Sequence, residues 1–321
     1  MKKQPGFVLV LALLIMAMGS TLVISLFQRA VSYDRLHRLL LKQQQSRMLA
    51  LQGIEIARAQ LSSPVTLDKG KEAIDSAIAP FLYADCVQTF SLTGENVGLD
   101  GEIKVFISSE EGKINLNGLY DFQEKKYRNQ MTETCNGYLE KKFGIEQFSG
   151  ALESLLKKGP LEEVTQLVGK NFKGALFKNL DTPNVPALTD LFTLATPDGK
   201  TQPLYISDTL ADLLQLEKQP IVKKERLEML KKLAAVKGQV QWQTQWNELL
   251  APLYKKGYNE IPDVFKKNLA SKIETTAFLV ISYGRVDGGA PVQKVCAYLE
   301  KLNVPETKTI VYTVKRLYWL S

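Results

Sequence analysis

From Phe7 to Phe27 the chain reads FVLVLALLIMAMGSTLVISLF, 21 consecutive residues without a charge. As an α-helix rising ~1.5 Å per residue, such a run spans roughly 30 Å, the thickness of a bilayer's hydrocarbon core. Lipid offers no partner for backbone N–H and C=O groups, so a lone spanning segment has to be helical. A leader of six residues, MKKQPG, stands before the run and carries Lys2 and Lys3, and Gln28-Arg29 follows it. A secretory signal needs a shorter apolar stretch and a small-residue cleavage site beyond it. Here the only such candidate, Met16 to Ser20, lies inside the run. A plain signal anchor satisfies the same pattern.

Helical character continues past the membrane segment. Residues 28–61 hold no proline and a single glycine, Gly53. Apolar residues recur at Leu36, Leu39, Leu40, Leu49, Ile54, Ala57 and Leu61, the three- and four-residue steps of an amphipathic helix. Ser62-Ser63-Pro64 ends it. The stripe does not keep strict heptads, which favours packing on the chain's own head over a coiled coil. The stem carries six basic and two acidic residues, so much of the chain's formal +7 sits beside the membrane. The basic clusters further on, such as Lys223-Lys224 and Lys231-Lys232, lack the aromatic interleaving of a single-strand nucleic-acid surface. No nucleic-acid partner is expected.

The remainder reads as a mixed α+β head. Ile103, Val105 and Ile107 alternate through Gly101–Ser108 as a half-buried strand. The block Glu110-Glu111-Gly112-Lys113-Ile114-Asn115-Leu116-Asn117 then turns the chain. Asn117 before Gly118 fits a helix cap, and short amides there fit bonds to the loop's own backbone. Residues 119–274 predict a run of helices at 121–143, 145–158, 160–170, 186–195, 207–217, 221–237, 241–256 and 260–272, broken at glycines and prolines. Strands return at 275–286, 292–300 and 308–320. Asp287-Gly288-Gly289 is a strong hairpin signal between the first two. Successive strands make an antiparallel meander, with Ile310, Tyr312, Val314, Arg316 and Tyr318 expected on one face of the last.

Little in this pattern suggests catalysis. The one histidine, His37, stands between Arg35 and Arg38 as a surface residue, and no Gly-x-Ser-x-Gly or phosphate loop occurs. Glu110 and Glu111 could form a carboxylate pair, but no third ligand lies near them in sequence. Cys86, Cys135 and Cys296 show no metal spacing and read as structural; a Cys86–Cys135 bridge is conceivable in an oxidising compartment.

A short basic leader ending in Gly6, directly before Phe7 and an apolar helix, resembles the type III signal of type IV prepilins and type II secretion pseudopilins. The resemblance implies cleavage between Gly6 and Phe7 by a prepilin peptidase, with N-methylation of Phe7. Members of that family carry a Glu five residues into the mature chain, and here that position is Leu11. The K-type minor pseudopilin is the member that typically lacks this Glu. The block from Glu110 to Asn117 is similar to the one preceding that type's inserted helical domain.

The expected fold is therefore α+β: a pilin-like long N-terminal helix packed on an antiparallel sheet, with a large α-helical domain inserted in the head. The boundaries are a leader at 1–6, a membrane helix at 7–27, a stem at 28–61, a first head portion at 62–118, an insertion at 119–274 and C-terminal strands at 275–321. The resemblance implies a single-pass protein of the bacterial inner membrane with its bulk in the periplasm. It would act at the tip of a pseudopilus, contacting membrane lipid, the other minor pseudopilins, the major pseudopilin and the inner-membrane secretion platform. A minor pilin, or a signal-anchored periplasmic binding protein or enzyme, is the alternative. Calcium can bind heads of this type, but no Asp-x-Asp cluster assigns ligands here; no other cofactor is expected. One feature opposes the orientation. Arg29, Arg35, Arg38, Lys42 and Arg47 follow the membrane run against two lysines before it, and the Lys/Arg count would put the head in the cytoplasm.

Overall fold

The computed structural model describes residues 5–63, 78–94, 100–169, 171–195, 199–219, 221–236, 239–273, 275–289, 291–304 and 309–320. The apolar run and the stem form one helix, α1 (Pro5–Ser62). No proline interrupts it after its first residue, and long aliphatic side chains and glutamines, all good helix formers, fill it. From Leu9 to Phe27 its large apolar side chains are exposed. The head first touches it at Lys42 and buries it from Ser46 onward, where Ser46, Leu49, Ala50, Gly53, Ile54, Ala57 and Leu61 are buried. The apolar stripe expected along the stem is thus used over its second half alone; Leu36, Leu39 and Leu40 lie below the head, exposed.

The strands in chain order are β1 (Val87–Leu92), β2 (Gly101–Ser109), β3 (Ile114–Asn115), β4 (Tyr120–Asp121), β5 (Lys126–Tyr127), β6 (Phe192–Thr193), β7 (Ala277–Val286), β8 (Gln293–Val304) and β9 (Thr309–Leu320). The main sheet has the order β1-β2-β7-β8-β9, antiparallel throughout. Strand β1 went unpredicted, because VQTFSL carries only two large apolar side chains beyond Val87. α1 lies on one sheet face, with Ile103, Val105, Phe278, Val280, Val295, Ala297, Leu299 and Tyr312 beneath it. Contact is close because small residues meet: a Cβ on Gly284 would stand 2.3 Å from the Ser46 carbonyl oxygen and 2.4 Å from the Ala50 nitrogen. Polar bonds pin the helix, from Arg58 Nε to the Tyr312 carbonyl at 2.9 Å and from Lys42 Nζ to the Gly288 carbonyl at 2.8 Å.

Strands β2 and β7 are hydrogen-bonded neighbours, with Ser109 opposite Phe278. The described residues between them leave the sheet, and the chain re-enters it at the same point. They form a helical lobe with its own core, including Leu139, Phe143, Phe148, Leu152, Phe192, Leu210, Leu230, Trp246 and Phe265. Its helices are Met131–Phe143, Phe148–Leu156, Leu188–Leu191, Asp208–Leu213, Lys223–Ala235, Trp242–Leu249, Ala251–Tyr254 and Asp263–Lys266. Several are shorter than predicted. The helix expected from 121 starts only at Met131, since β4 and β5 pair as a hairpin whose turn holds Lys125 at φ 53°. The 160–170 segment makes one 3₁₀ turn, Val164–Leu167.

The second face of the sheet is covered too. Phe106, Leu279, Ile281, Tyr283 and Cys296 pack against Phe177 and Leu180 of the lobe. Strand β9 does not keep the single alternation expected of it. The β8–β9 register slips between Tyr298 and Leu299, leaving Lys315 as the extra residue of a bulge. Tyr312 therefore joins the cluster under α1, while Tyr318 packs with the lobe on the opposite face.

Candidate functional site

The block from Glu110 to Asn117 lies where the chain passes from β2 into the lobe, and its side chains work on the protein itself. Glu110 and Lys113 are both fully buried and paired, and Thr193 Oγ1 donates to the second Glu110 oxygen. Burial raises the Glu110 pKa above its ordinary value, outweighing the pull of Lys113 and Thr193. Glu111 reaches the other end of the insertion. Its Oε1 accepts from Thr276 N at 2.5 Å, Thr276 Oγ1 at 2.6 Å and Ala277 N at 3.1 Å, and its Oε2 accepts from Ser109 Oγ at 2.7 Å. One carboxylate thus ties the last residue of β2 to the first of β7. Gly112 has no room for a side chain, since a Cβ would fall 1.6 Å from the Tyr205 carbonyl oxygen.

The following residues continue the fastening. Ile114 and Leu116 enter the lobe core, β3 pairs with β6 in parallel, and Asn115 Oδ1 accepts from Gly118 N at 3.0 Å. Asn117 does not cap a helix. Its amide makes a two-way bond with Leu161, donating to the carbonyl at 3.0 Å and accepting from the N–H at 2.9 Å. A carboxylate pair free to bind a metal or move a proton is not what the geometry provides. Among the described residues no group of three or more His, Cys, Asp or Glu is placed to hold a metal ion.

A second charged cluster escaped the sequence reading, because its members come from four separate segments. Lys218 meets Asp208 at 3.0 Å and Asp85 at 3.3 Å, and Lys178 pairs with Asp208 and stands 3.9 Å from Asp190. Burial pushes the Asp208 carboxyl up, but the Lys218 and Lys178 ammonium groups outweigh it and hold the pKa below its ordinary value. For Asp85 burial wins over Lys218 and raises it. Arg226 adds bonds to the carbonyls of Phe81 and Ala84, at 2.7 and 2.6 Å. Together these groups fasten the 78–86 segment, which leads into β1, onto the lobe. Asp208 opens the helix Asp208–Leu213, and Ser207 caps it, accepting from Leu210 N at 3.2 Å.

The other sequence-derived positions lie apart from these clusters. Gly6 and Phe7 fall in the opening turns of α1, and Leu11 is exposed on its uncovered half. Cys86, Cys135 and Cys296 are free thiols, so the conceivable Cys86–Cys135 bridge is not formed. Between lobe and sheet runs a cleft of about 350 Å³, walled by Phe177, Tyr298 and Tyr318. At its rim Arg316 donates to the Glu162 carbonyl at 2.8 Å, and Tyr318 donates to Glu163 at 3.1 Å.

Fold and clusters define a class: an α+β protein on a long apolar helix, whose buried charges join its parts. Among solved structures, the chain is similar to one in the GspK–GspI–GspJ complex of the type 2 secretion system of enterotoxigenic Escherichia coli. The identity is 14%, the match covers 91% of this chain and 99% of that one, and the TM-score is 0.43. No family model and no curated protein matches the sequence.

Proposed function

We propose that this chain is a minor pseudopilin of the K type, a structural subunit at the tip of a periplasmic pseudopilus that helps to start its assembly. The observation that carries the reading is the division of labour along α1: a bare apolar first half and a second half buried on an antiparallel sheet. The leader ending at Gly6 and the lobe inserted between neighbouring strands support it. Leu11 supports the tip position. A carboxylate there would be costly in lipid without a neighbour's amino terminus to neutralise it, and a first subunit has no such neighbour ahead of it. The chain would associate with other minor pseudopilins and the major pseudopilin at the inner membrane.

Co-expression with a prepilin peptidase is expected to shorten the chain by the six leader residues and expose an N-methylated Phe7, read by mass spectrometry. Gly6→Val is expected to abolish that shortening. A chain that stays full length beside an active peptidase would sink the proposal. The Lys/Arg count favours a second reading, a signal anchor with its head in the cytoplasm. A reporter fused after Ser321 that is active only in the cytoplasm would establish it.

A further inference from the structure

Four basic residues, Arg29, Arg35, Arg38 and Lys42, fall within fifteen positions of the membrane run, and neither the fold nor the assembly role uses the first three. Residues 28–45 form a neck about 27 Å long at ~1.5 Å per residue, between the apolar run and the first buried residue, Ser46. Arg35, Arg38 and Lys42 share one face of it. That face continues upward as Ser46, Leu49 and Gly53, the stripe seated on the sheet. The basic stripe therefore lies beneath the head, in the wedge between its underside and the membrane, and Lys42 at the top already bonds the Gly288 carbonyl. Asp34, the one acid in this stretch, is taken by Arg38 at 3.0 Å; Arg29 and Arg35 have no ion pair among the described residues.

We infer that this neck stripe binds the phosphate headgroups of anionic phospholipids in the leaflet on the head's side, and so sets the tilt of the head toward the bilayer. Arg29 stands about 3 Å past Phe27, inside a headgroup layer about 5–8 Å thick. Arg35 and Arg38 stand about 12 and 17 Å past it, and helical side chains slant toward the helix N-terminus, back toward the membrane. Anionic headgroups add a field that extends about 8 Å further at physiological salt. Tyr33, 71% exposed, stands about 9 Å past Phe27, between Arg29 and Arg35, and slants back toward the same headgroup layer. An acidic protein surface could satisfy the arginines equally, but it would not explain why the charge begins two residues beyond the apolar run. The inference needs α1 to span a bilayer but needs no assembly role. It also gives the basic excess after the membrane helix a use other than fixing orientation.

The test uses the full chain at one copy per nanodisc, with a polarity-sensitive dye on Leu39→Cys in a Cys86→Ser background. Leu39 is exposed and lies on the basic face. Discs of phosphatidylcholine alone are compared with discs containing about one-third phosphatidylglycerol, at low salt and at about 0.5 M salt. Dye emission is expected to shift to the blue only with phosphatidylglycerol, and the shift is expected to vanish in high salt and in Arg29→Gln/Arg35→Gln/Arg38→Gln. Identical spectra in both discs would overturn the inference. A shift that needs two copies per disc would overturn it as well, assigning the stripe to another chain. Peptidase processing at Gly6–Phe7 is expected to be unchanged in the triple variant, so this inference and the pseudopilin reading fail separately.

Discussion

Lys113 shows how far the local sequence can mislead about a residue's work. An acidic pair followed by Gly-Lys reads as a turn, and nothing in that pattern announces that Lys113 and Glu110 are fully buried against each other. Such a pair is weak support for stability as a whole, but removing one member leaves an uncompensated charge in the interior. Lys113→Met is expected to destabilise the fold by about 3–5 kcal/mol in urea unfolding. Asp85 makes a different prediction. One of its oxygens is buried with no partner, and its pKa is raised by burial above 3.8. Ionised Asp85 therefore weakens the fold at neutral pH, and the penalty disappears as pH falls through the raised value. Asp208 runs the opposite way. Its depressed pKa contributes stability that is full above 3.8 and is lost as pH falls through the folded-state value. Stability is expected to rise as pH drops from neutral through the raised Asp85 value, and the Asp208 contribution is expected to be lost below about 4. Asp85→Asn is expected to reduce the rise and leave the fall. Unfolding midpoints across that range decide it.

At the scale of elements, the fit of α1 onto the sheet depends on where side chains are missing. Gly284 on β7 faces the helix backbone itself, and backbone cannot swing aside as a side chain can. Gly284→Ala is expected to cost about 1–3 kcal/mol or more, the usual effect of overpacking. Gly137 is the contrast. It is an exposed position of the helix Met131–Phe143, and a Cβ there would meet nothing within 4 Å. Gly137→Ala is expected to stabilise by about 0.5–1 kcal/mol, since alanine restricts the unfolded chain and favours helix. Opposite signs from one chemical change, read by thermal or urea unfolding, test the helix–sheet contact directly. The bulge at Lys315 works at this scale too, because one extra residue turns Arg316 and Tyr318 from the stem side of the sheet toward the lobe.

For the whole molecule, the question is how a helical lobe is held at a gap between two paired strands without opening the sheet. Glu111 answers it by joining Ser109 to Thr276 and Ala277. Three of the donors converge on one charged oxygen, so a neutral amide loses charge-assisted bonds of about 1.5–3 kcal/mol. Glu111→Gln is expected to lower stability by that amount and to speed hydrogen exchange at Thr276 and Ala277, while exchange in Trp242–Leu249 changes less. Uniform acceleration across the lobe would instead mean that lobe and sheet open as one unit.

The long apolar helix, its amphipathic continuation, the strand at β2, the terminal hairpin and the helical character of the described residues between β2 and β7 were legible in the sequence. Each rests on local periodicity or on an uncharged run that only one backbone form tolerates in lipid. The readings proposed for Gly6, Phe7 and Leu11 likewise rest on spacing along one segment. Only the tertiary structure decided that Leu36, Leu39 and Leu40 stay bare while Leu49 and Ile54 are covered, because that depends on where the head's edge falls along α1. It likewise decided that β1 joins the sheet, that Asn117 grips Leu161, and that Asp85, Lys178, Asp190, Asp208 and Lys218 meet. Partners far apart in the chain leave no period to read, and a buried charge looks like a surface charge until its neighbours are known.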